Sequence, residues 1–194
     1  IFVKTGNVID PYSIDIIAPT EKRAKEISSN GIIGVNVMVA MNNYIEHVKT
    51  AIEAGADLII SGAGLPLNLP EITKGSSIKI APIVSSSKAA RIVLTYWKKH
   101  FNRTADAVIV EGPMAGGHLG FKKDKIEDET ISFDKNVQSV IEEVKNFENE
   151  FNKPIPVIVA GGVFTHEDMM KYLNLGASGV QVATQFVATH ECDA

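Results

Sequence analysis

The sequence predicts an α/β protein built from repeated strand–helix units on a parallel sheet, and three observations carry that prediction. Short β-branched runs recur at 34–40 (GVNVMVA), 57–61 (DLIIS), 79–84 (KIAPIV), 106–110 (DAVIV), 156–160 (PVIVA) and 179–183 (GVQVA). They are nearly continuous in apolar character instead of alternating, as strands covered on both faces are. Segments of helical periodicity separate them, and strand starts near 35, 57, 79, 107, 156 and 179 lie 22, 22, 28, 49 and 23 residues apart. Units of this size are βα repeats with right-handed crossovers, which form either an open doubly wound sheet or a (β/α)8 barrel. A barrel needs eight strands and about 250 residues, and six strands are legible. No early GxGxxG loop favours a dinucleotide-binding sheet.

Each helix carries its own punctuation. A weak helix over 21–29 stops at Asn30-Gly31. Asn43 is placed to cap the next, with Glu46 three residues on, an inner face of Ile45, Val48 and Ile52, and Gly55 as the stop. Ser61-Gly62-Ala63-Gly64 then closes a strand with small residues, and two prolines in 65–73 leave only a short turn of helix. Ser85, Ser86 or Ser87 caps the following helix, whose Ala90, Val93, Leu94 and Trp97 fall at i, i+3, i+4 and i+7. No G-x-S-x-G elbow surrounds those serines, so they read as caps and not as nucleophiles. Asp134 opens a helix with Val137, Val140, Ile141, Val144 and Phe151 inward. Thr165 opens the last with Asp168 three residues later, Met169 and Leu173 inward, and Gly176 at the stop.

Composition limits the function. The chain has 194 residues, 45% hydrophobic, enough to bury a core. Its net charge of −4, without a Lys/Arg block, argues against nucleic acid as the partner. A lone cysteine, Cys192, excludes an intrachain disulfide and a multi-cysteine metal site. Neither H-E-x-x-H nor EF-hand spacing occurs, so no metal is expected. No apolar run approaches the roughly 18 residues that span a bilayer, and 1–4 lack the features of a signal peptide. The expectation is a soluble, cytoplasmic protein. His47, His166 and His190 read as surface residues, His100 as a helix end, and Met38, Met41, Met169 and Met170 as core filling.

Chemistry is expected where the spacing is anomalous. The interval of 49 holds Glu111-Gly112-Pro113-Met114-Ala115-Gly116-Gly117-His118-Leu119-Gly120-Phe121 and then the mixed-charge run 122–129. Long loops in compact domains are commonly functional, and parallel α/β folds bind ligands beyond the carboxyl ends of their strands. Glycines around His118 let backbone approach a ligand while a titratable ring points at it. A flexible glycine loop with an incidental histidine is the plainer alternative. A second feature is Ala160-Gly161-Gly162-Val163-Phe164-Thr165, a strand that ends in two glycines just before a helix start, where amides and helix terminus together suit a phosphate. The next strand exit, Gln181 to Phe186, adds an amide and a hydroxyl. The alternative is a tight turn without ligand. Asn36, polar within an apolar strand, faces either a ligand or neighbouring backbone.

The segments EGPMAGGHLGF (111–121), VAGGV (159–163), GASGVQVAT (176–184) and GVNVMV (34–39) together resemble the nitronate monooxygenase family, formerly called 2-nitropropane dioxygenases, over roughly residues 20 to 194. The same family includes flavin-dependent enoyl-acyl-carrier-protein reductases. The resemblance implies a (β/α)8 TIM barrel that holds FMN non-covalently and oxidises alkyl nitronates with dioxygen to carbonyl compounds and nitrite. It implies that His118 is the catalytic base acting on a neutral nitroalkane. Gly161, Gly162, Ala183 and Thr184 would hold the FMN phosphate, with Asn36 beside the flavin and Glu111, Ala115, Gly116 and Gly117 in the loop that approaches it. The six legible strands match the third to eighth of the family's barrel, so an incomplete barrel is expected. Residues 1–30 would then form a poorly matched segment and 31–194 the FMN-binding units. Unpaired strand edges would invite homo-oligomerisation. The family's QGGMG-like first strand has no counterpart here. Alternatives are an NADH-dependent enoyl-thioester reductase on the same scaffold and a non-catalytic fragment.

Overall fold

A computed structural model describes residues 2–4, 22–29, 31–116 and 132–190. In order, these form β1 (Phe2–Lys4), α1 (22–28), β2 (Gly34–Met38), α2 (Tyr44–Glu53), β3 (Leu58–Gly62), α3 (Leu69–Ile72), β4 (Lys79–Val84) and α4 (Ser87–Phe101). Then follow β5 (Val108–Glu111), α5 (Phe133–Phe151), β6 (Val157–Ala160), α6 (His166–Asn174), β7 (Gly179–Gln181) and α7 (Thr184–Val187). Every strand pairing is parallel. Six strands lie where the sequence places them, with ends moved by at most two residues. β1 is a correction, because it stands in a stretch where no βα unit was legible. Three residues are too few for a periodic signal, and only pairing with β2 identifies them.

The chain forms two compact units, residues 1–82 with 95–105 and residues 83–94 with 106–194. In the first, β1, β2, β3 and the Lys79–Pro82 part of β4 pair in that order. Val35 and Val37 of β2, Ile59 and Ile60 of β3, and Ile80 and Ala81 of β4 are at most 2% exposed. Asp57 ties the strand starts together. Its carboxylate pairs with Lys25 of α1 and accepts from the Ile33 amide at 2.7 Å, while its carbonyl accepts from Lys79 N at 2.9 Å. The Lys25 ammonium, followed by the Ile33 amide, holds the Asp57 carboxyl below its ordinary pKa. In α4 the inward positions read from sequence, Ala90, Val93, Leu94 and Trp97, are all fully buried. The Trp97 indole donates to Pro66 O at 2.9 Å, which fixes the loop leaving β3.

α2 departs from its sequence reading in two ways. Asn43 stands at the cap position but its side chain makes no capping bond. The buried stripe is Tyr44, His47, Val48 and Ala51, and Ile45 is 50% exposed. The Tyr44 hydroxyl, 2.9 Å from Ser61 Oγ, explains the rotation. Ser61 gives its own proton to Val37 O at 2.9 Å, so Tyr44 is the donor in the pair. Burial pushes the Tyr44 pKa up to about 12, opposed by that hydrogen bond. His47, read as a surface residue, is 2% exposed.

In the second unit, Ile83 and Val84 of β4 pair with β5, and β5, β6 and β7 follow in order. Ser132 caps α5 by accepting from Lys135 N at 3.4 Å, two residues before the expected Asp134. Val137, Val140, Ile141, Val144 and Phe147 are buried, and Phe147 takes the inner place assigned to Phe151. The outer flank of α5 is bound by Arg91, whose Nε and Nη2 donate to the two Glu143 oxygens at 3.0 and 2.5 Å. α6 begins with the Thr165–Asp168 capping box that the sequence predicts. Among the described residues no helix is long and apolar enough to cross a membrane.

The buried His47 generates a pH prediction. Desolvation lowers its pKa below the ordinary 6.5, and the Glu46 carboxylate offsets this only in part. As pH falls through about 6.5 the unfolded chain takes up a proton that the folded chain refuses. Stability is therefore full above that pH and declines below it, down to the folded-state pKa. Urea unfolding at pH 7.5 and 5.5 should show a larger loss in the wild type than in His47→Leu. Equal losses would contradict the assignment.

Candidate functional site

The carboxyl ends of β5, β6 and β7 lie side by side in the second unit. β6 pairs with both neighbours, so Glu111, Ala160 and Gln181 stand at one level. The ladder runs one step further, with Gly112 N donating to Ala160 O at 2.8 Å. The chain then turns, Ala115 N reaching back to Gly112 O at 3.2 Å. That turn rests on the β6 exit. A Cβ added at Gly161 would stand 2.9 Å from Ala115 N and 3.1 Å from Gly112 O, and one at Gly162 would stand 2.9 Å from Met114 Cβ. Both glycines also have left-handed φ, 93° and 77°, which disfavours a side chain whatever the space. The glycine pair thus lets two strand exits meet backbone to backbone.

Beyond the pair, α6 starts with a capping box. Asp168 accepts from Phe164 N at 3.0 Å and Thr165 N at 2.9 Å, and Thr165 Oγ1 accepts from Asp168 N at 3.1 Å. The Thr165 amide, then that of Phe164, holds the Asp168 carboxyl below its usual range. The sequence reading offers this helix terminus to a phosphate; the Phe164 and Thr165 amides beside it are taken by the chain's own carboxylate. An anion at the β6 exit has the Gly161–Gly162 bend to bind, with the Asp168 charge nearby. At the β7 exit Ala183 precedes the four-residue α7, makes no side-chain cap, and is exposed together with Thr184.

One residue of this rim escaped the sequence reading as a site residue. Gln181 Oε1 is one of two buried side-chain polar atoms without a hydrogen-bond partner among the described residues. Leaving such an acceptor unpaired costs about 1–3 kcal/mol, and an orphan of this kind calls for a partner. A ligand bearing N–H or O–H donors satisfies it, and a flavin nucleotide has both. Its signal was present in the sequence, a polar residue inside the run GVQVA, the same signal that singled out Asn36.

The structure therefore brings Glu111, Ala115, Gly116, Gly161, Gly162, Ala183 and Thr184 to one rim of one unit. Asn36 lies on β2 in the first unit, half-buried, between Lys4 and Ile60 in the register. Gly117 and His118, the 122–129 run and Cys192 lie outside the described residues. Among those described, no group of three His, Cys, Asp or Glu is placed to hold a metal ion. A groove of about 630 Å³ opens in the first unit between the β2 exit, α2 and α3. Of its polar lining, Asn42, Glu46, Lys49 and Asn68 are solvent-exposed, Asn43 is half-buried, and the buried Tyr44 has its hydroxyl bonded to Ser61.

Parallel strands, each followed by a helix, define a TIM-barrel-type α/β fold, and the glycine-lined rim lies at the carboxyl strand ends, where folds of this type bind their ligands. The family model for nitronate monooxygenase matches residues 2–194, and the chain belongs to that family. FabK from Thermotoga maritima superposes with a TM-score of 0.71 at 29% identity, covering 96% of this chain and 51% of FabK. A mandelate oxidase with a monooxide FMN adduct shares the fold, with a TM-score of 0.56 at 15% identity over 94% of this chain and 62% of the oxidase. Among curated relatives, a (3aS,4S,5R,7aS)-5-hydroxy-7a-methyl-1-oxo-octahydro-1H-indene-4-carboxyl-CoA dehydrogenase of Mycobacterium tuberculosis is 25% identical over 92% of this chain and 44% of its own length. A probable nitronate monooxygenase of Bacillus subtilis is 33% identical over 47% of this chain and 24% of its own length. The chain thus spans less than half the length of these curated relatives.

The glycine contact can be weighed against a control. Gly55 has a φ of 88° and nothing within 4 Å of an added Cβ, so Gly55→Ala should cost only the left-handed backbone, roughly 1–2 kcal/mol. Gly161→Ala should cost a further ~1–3 kcal/mol from the collision with Ala115 and Gly112. Paired urea denaturation curves measure the difference, and equal losses would show that the two exits do not press together.

Proposed function

We propose that this chain supplies the phosphate-side part of an FMN site in an oxidoreductase that converts alkyl nitronates and dioxygen to carbonyl compounds and nitrite. The observation that carries the reading is the orphaned Gln181 Oε1, at the same level as Glu111 and next to the glycine bend. Family membership supports it independently. In this reading Gly161, Gly162, Ala183 and Thr184 hold the phosphate through backbone amides and the Thr184 hydroxyl, and Gln181 accepts a donor from the cofactor. Glu111, Ala115, Gly116 and Gly117 approach its ring. Bound FMN supplies the electron-accepting group that no side chain provides. His118 acts as general base, taking a proton from the carbon of a neutral nitroalkane. An alkyl nitronate arrives already deprotonated and asks less of His118.

That difference generates the test. The purified protein should carry or take up FMN with a flavin absorbance band, and should hold riboflavin, which lacks the phosphate, more weakly. His118→Ala should lower oxygen consumption with a nitroalkane by ~100-fold or more and with the corresponding nitronate far less. Wild-type protein that takes up no FMN would overturn the proposal. Equal losses on both substrates would remove the base from His118.

A second reading is reduction of an enoyl thioester by NADH on the same scaffold, favoured by the likeness to a CoA-thioester dehydrogenase over 92% of this chain. Rapid NADH oxidation with a crotonyl thioester, and no turnover of nitronates, would decide for it.

A further inference from the structure

The β5-exit turn is held from a second direction by a residue outside the rim. A Cβ at Gly112 would stand 2.7 Å from both Cε1 and Cζ of Phe133, so the Phe133 ring sits directly on Gly112. Phe133 is the first residue of α5, twenty-one positions along the chain. Its ring is itself restrained. It meets the Tyr172 ring of α6 edge-on, with centroids 5.9 Å apart at 72°. Tyr172 is 7% exposed and has Lys171 Nζ 5.2 Å from its centroid, while Lys171 bridges to Asp134, the neighbour of Phe133, at 2.8 Å. One turn on, Asn136 Nδ2 donates to Ser85 O at 2.8 Å and ties the start of α5 to the β4 exit.

We infer that Phe133 is a positioning residue for the cofactor site, acting through Gly112. The inference rests on the FMN reading above. Gly112 O and Ala115 N are the atoms against which Gly161 packs, so a displacement of Gly112 is passed directly to the glycine bend. The ring is not needed to hold α5 itself, since Val137, Val140, Ile141, Val144 and Phe147 bury that helix without it. Phe133 is only half-buried, and its contact falls on the one residue that links the β5 ladder to the turn. Its effect is therefore on where the turn lies, more than on whether the unit folds.

FMN affinity, read by quenching of flavin fluorescence, tests this together with the melting temperature of the FMN-free protein. Phe133→Ala should weaken FMN binding at least tenfold, while Phe133→Leu, which keeps an apolar group over Gly112, should stay within about threefold of wild type. Both variants should melt within ~5 °C of wild type. Gly112→Ala attacks the same contact from the other side. It should lose at least tenfold in FMN affinity and recover part of it when combined with Phe133→Leu. Wild-type protein that does not bind FMN overturns the functional reading and this inference with it. Wild-type protein that binds FMN, beside Phe133→Ala and Gly112→Ala chains of unchanged affinity, overturns the positioning role alone.

Discussion

The contact of two strand exits across a glycine pair is the constraint on which the site depends. Gly161 and Gly162 adopt left-handed backbone, and their missing side chains admit Gly112 O, Ala115 N and Met114 Cβ to distances that a Cβ would forbid. Parallel strands alone deliver Glu111, Ala160 and Gln181 to one level. The glycines then decide what happens beyond that level, folding the β5 exit onto the β6 exit instead of letting it leave into solvent. A substitution at either glycine meets both a conformational and a steric penalty, and the two add because they arise from different atoms.

Hydrogen bonding around the rim is uneven, and the unevenness carries information. The Asp168 carboxylate at the start of α6 is satisfied from within, by the Phe164 and Thr165 amides. Gln181 Oε1 is not. A protein that caps the starts of α5 and α6, ties its strand starts through Asp57 and pairs Arg91 with Glu143 leaves an acceptor unpaired beside a backbone bend. Departures from local consistency of this kind concentrate at functional sites. The depressed Asp168 carboxyl also sets a limit. It keeps a negative charge near the β6 exit, so in the proposed reading an anion held by the Gly161–Gly162 backbone binds away from that carboxylate.

Much of this was legible in the sequence because the physics is local. The stripe Ala90, Val93, Leu94 and Trp97 and the Thr165–Asp168 box are decided within one helix, and both form as their spacing predicts. What failed was decided elsewhere in the chain. α2 turns its Tyr44–His47 side inward because Ser61, on the neighbouring strand, offers the Tyr44 hydroxyl a partner. β1 exists through pairing and has too few residues to announce itself. The role of Gly112 was hidden for the same reason, because the ring that requires it belongs to a residue in the next helix. Gln181 was readable as a polar residue in an apolar strand, yet its lack of a partner is a property of the folded chain alone.

Amide hydrogen exchange followed residue by residue, without and with saturating FMN, measures the central claim most directly. Slower exchange at Gly161, Gly162, Ala183 and Thr184 on FMN addition, with unchanged exchange across 72–76 at the edge of the first unit, is what a phosphate held by the two exits requires. Unchanged exchange from Gly161 to Thr184 while FMN is bound would place the cofactor elsewhere and contradict the account.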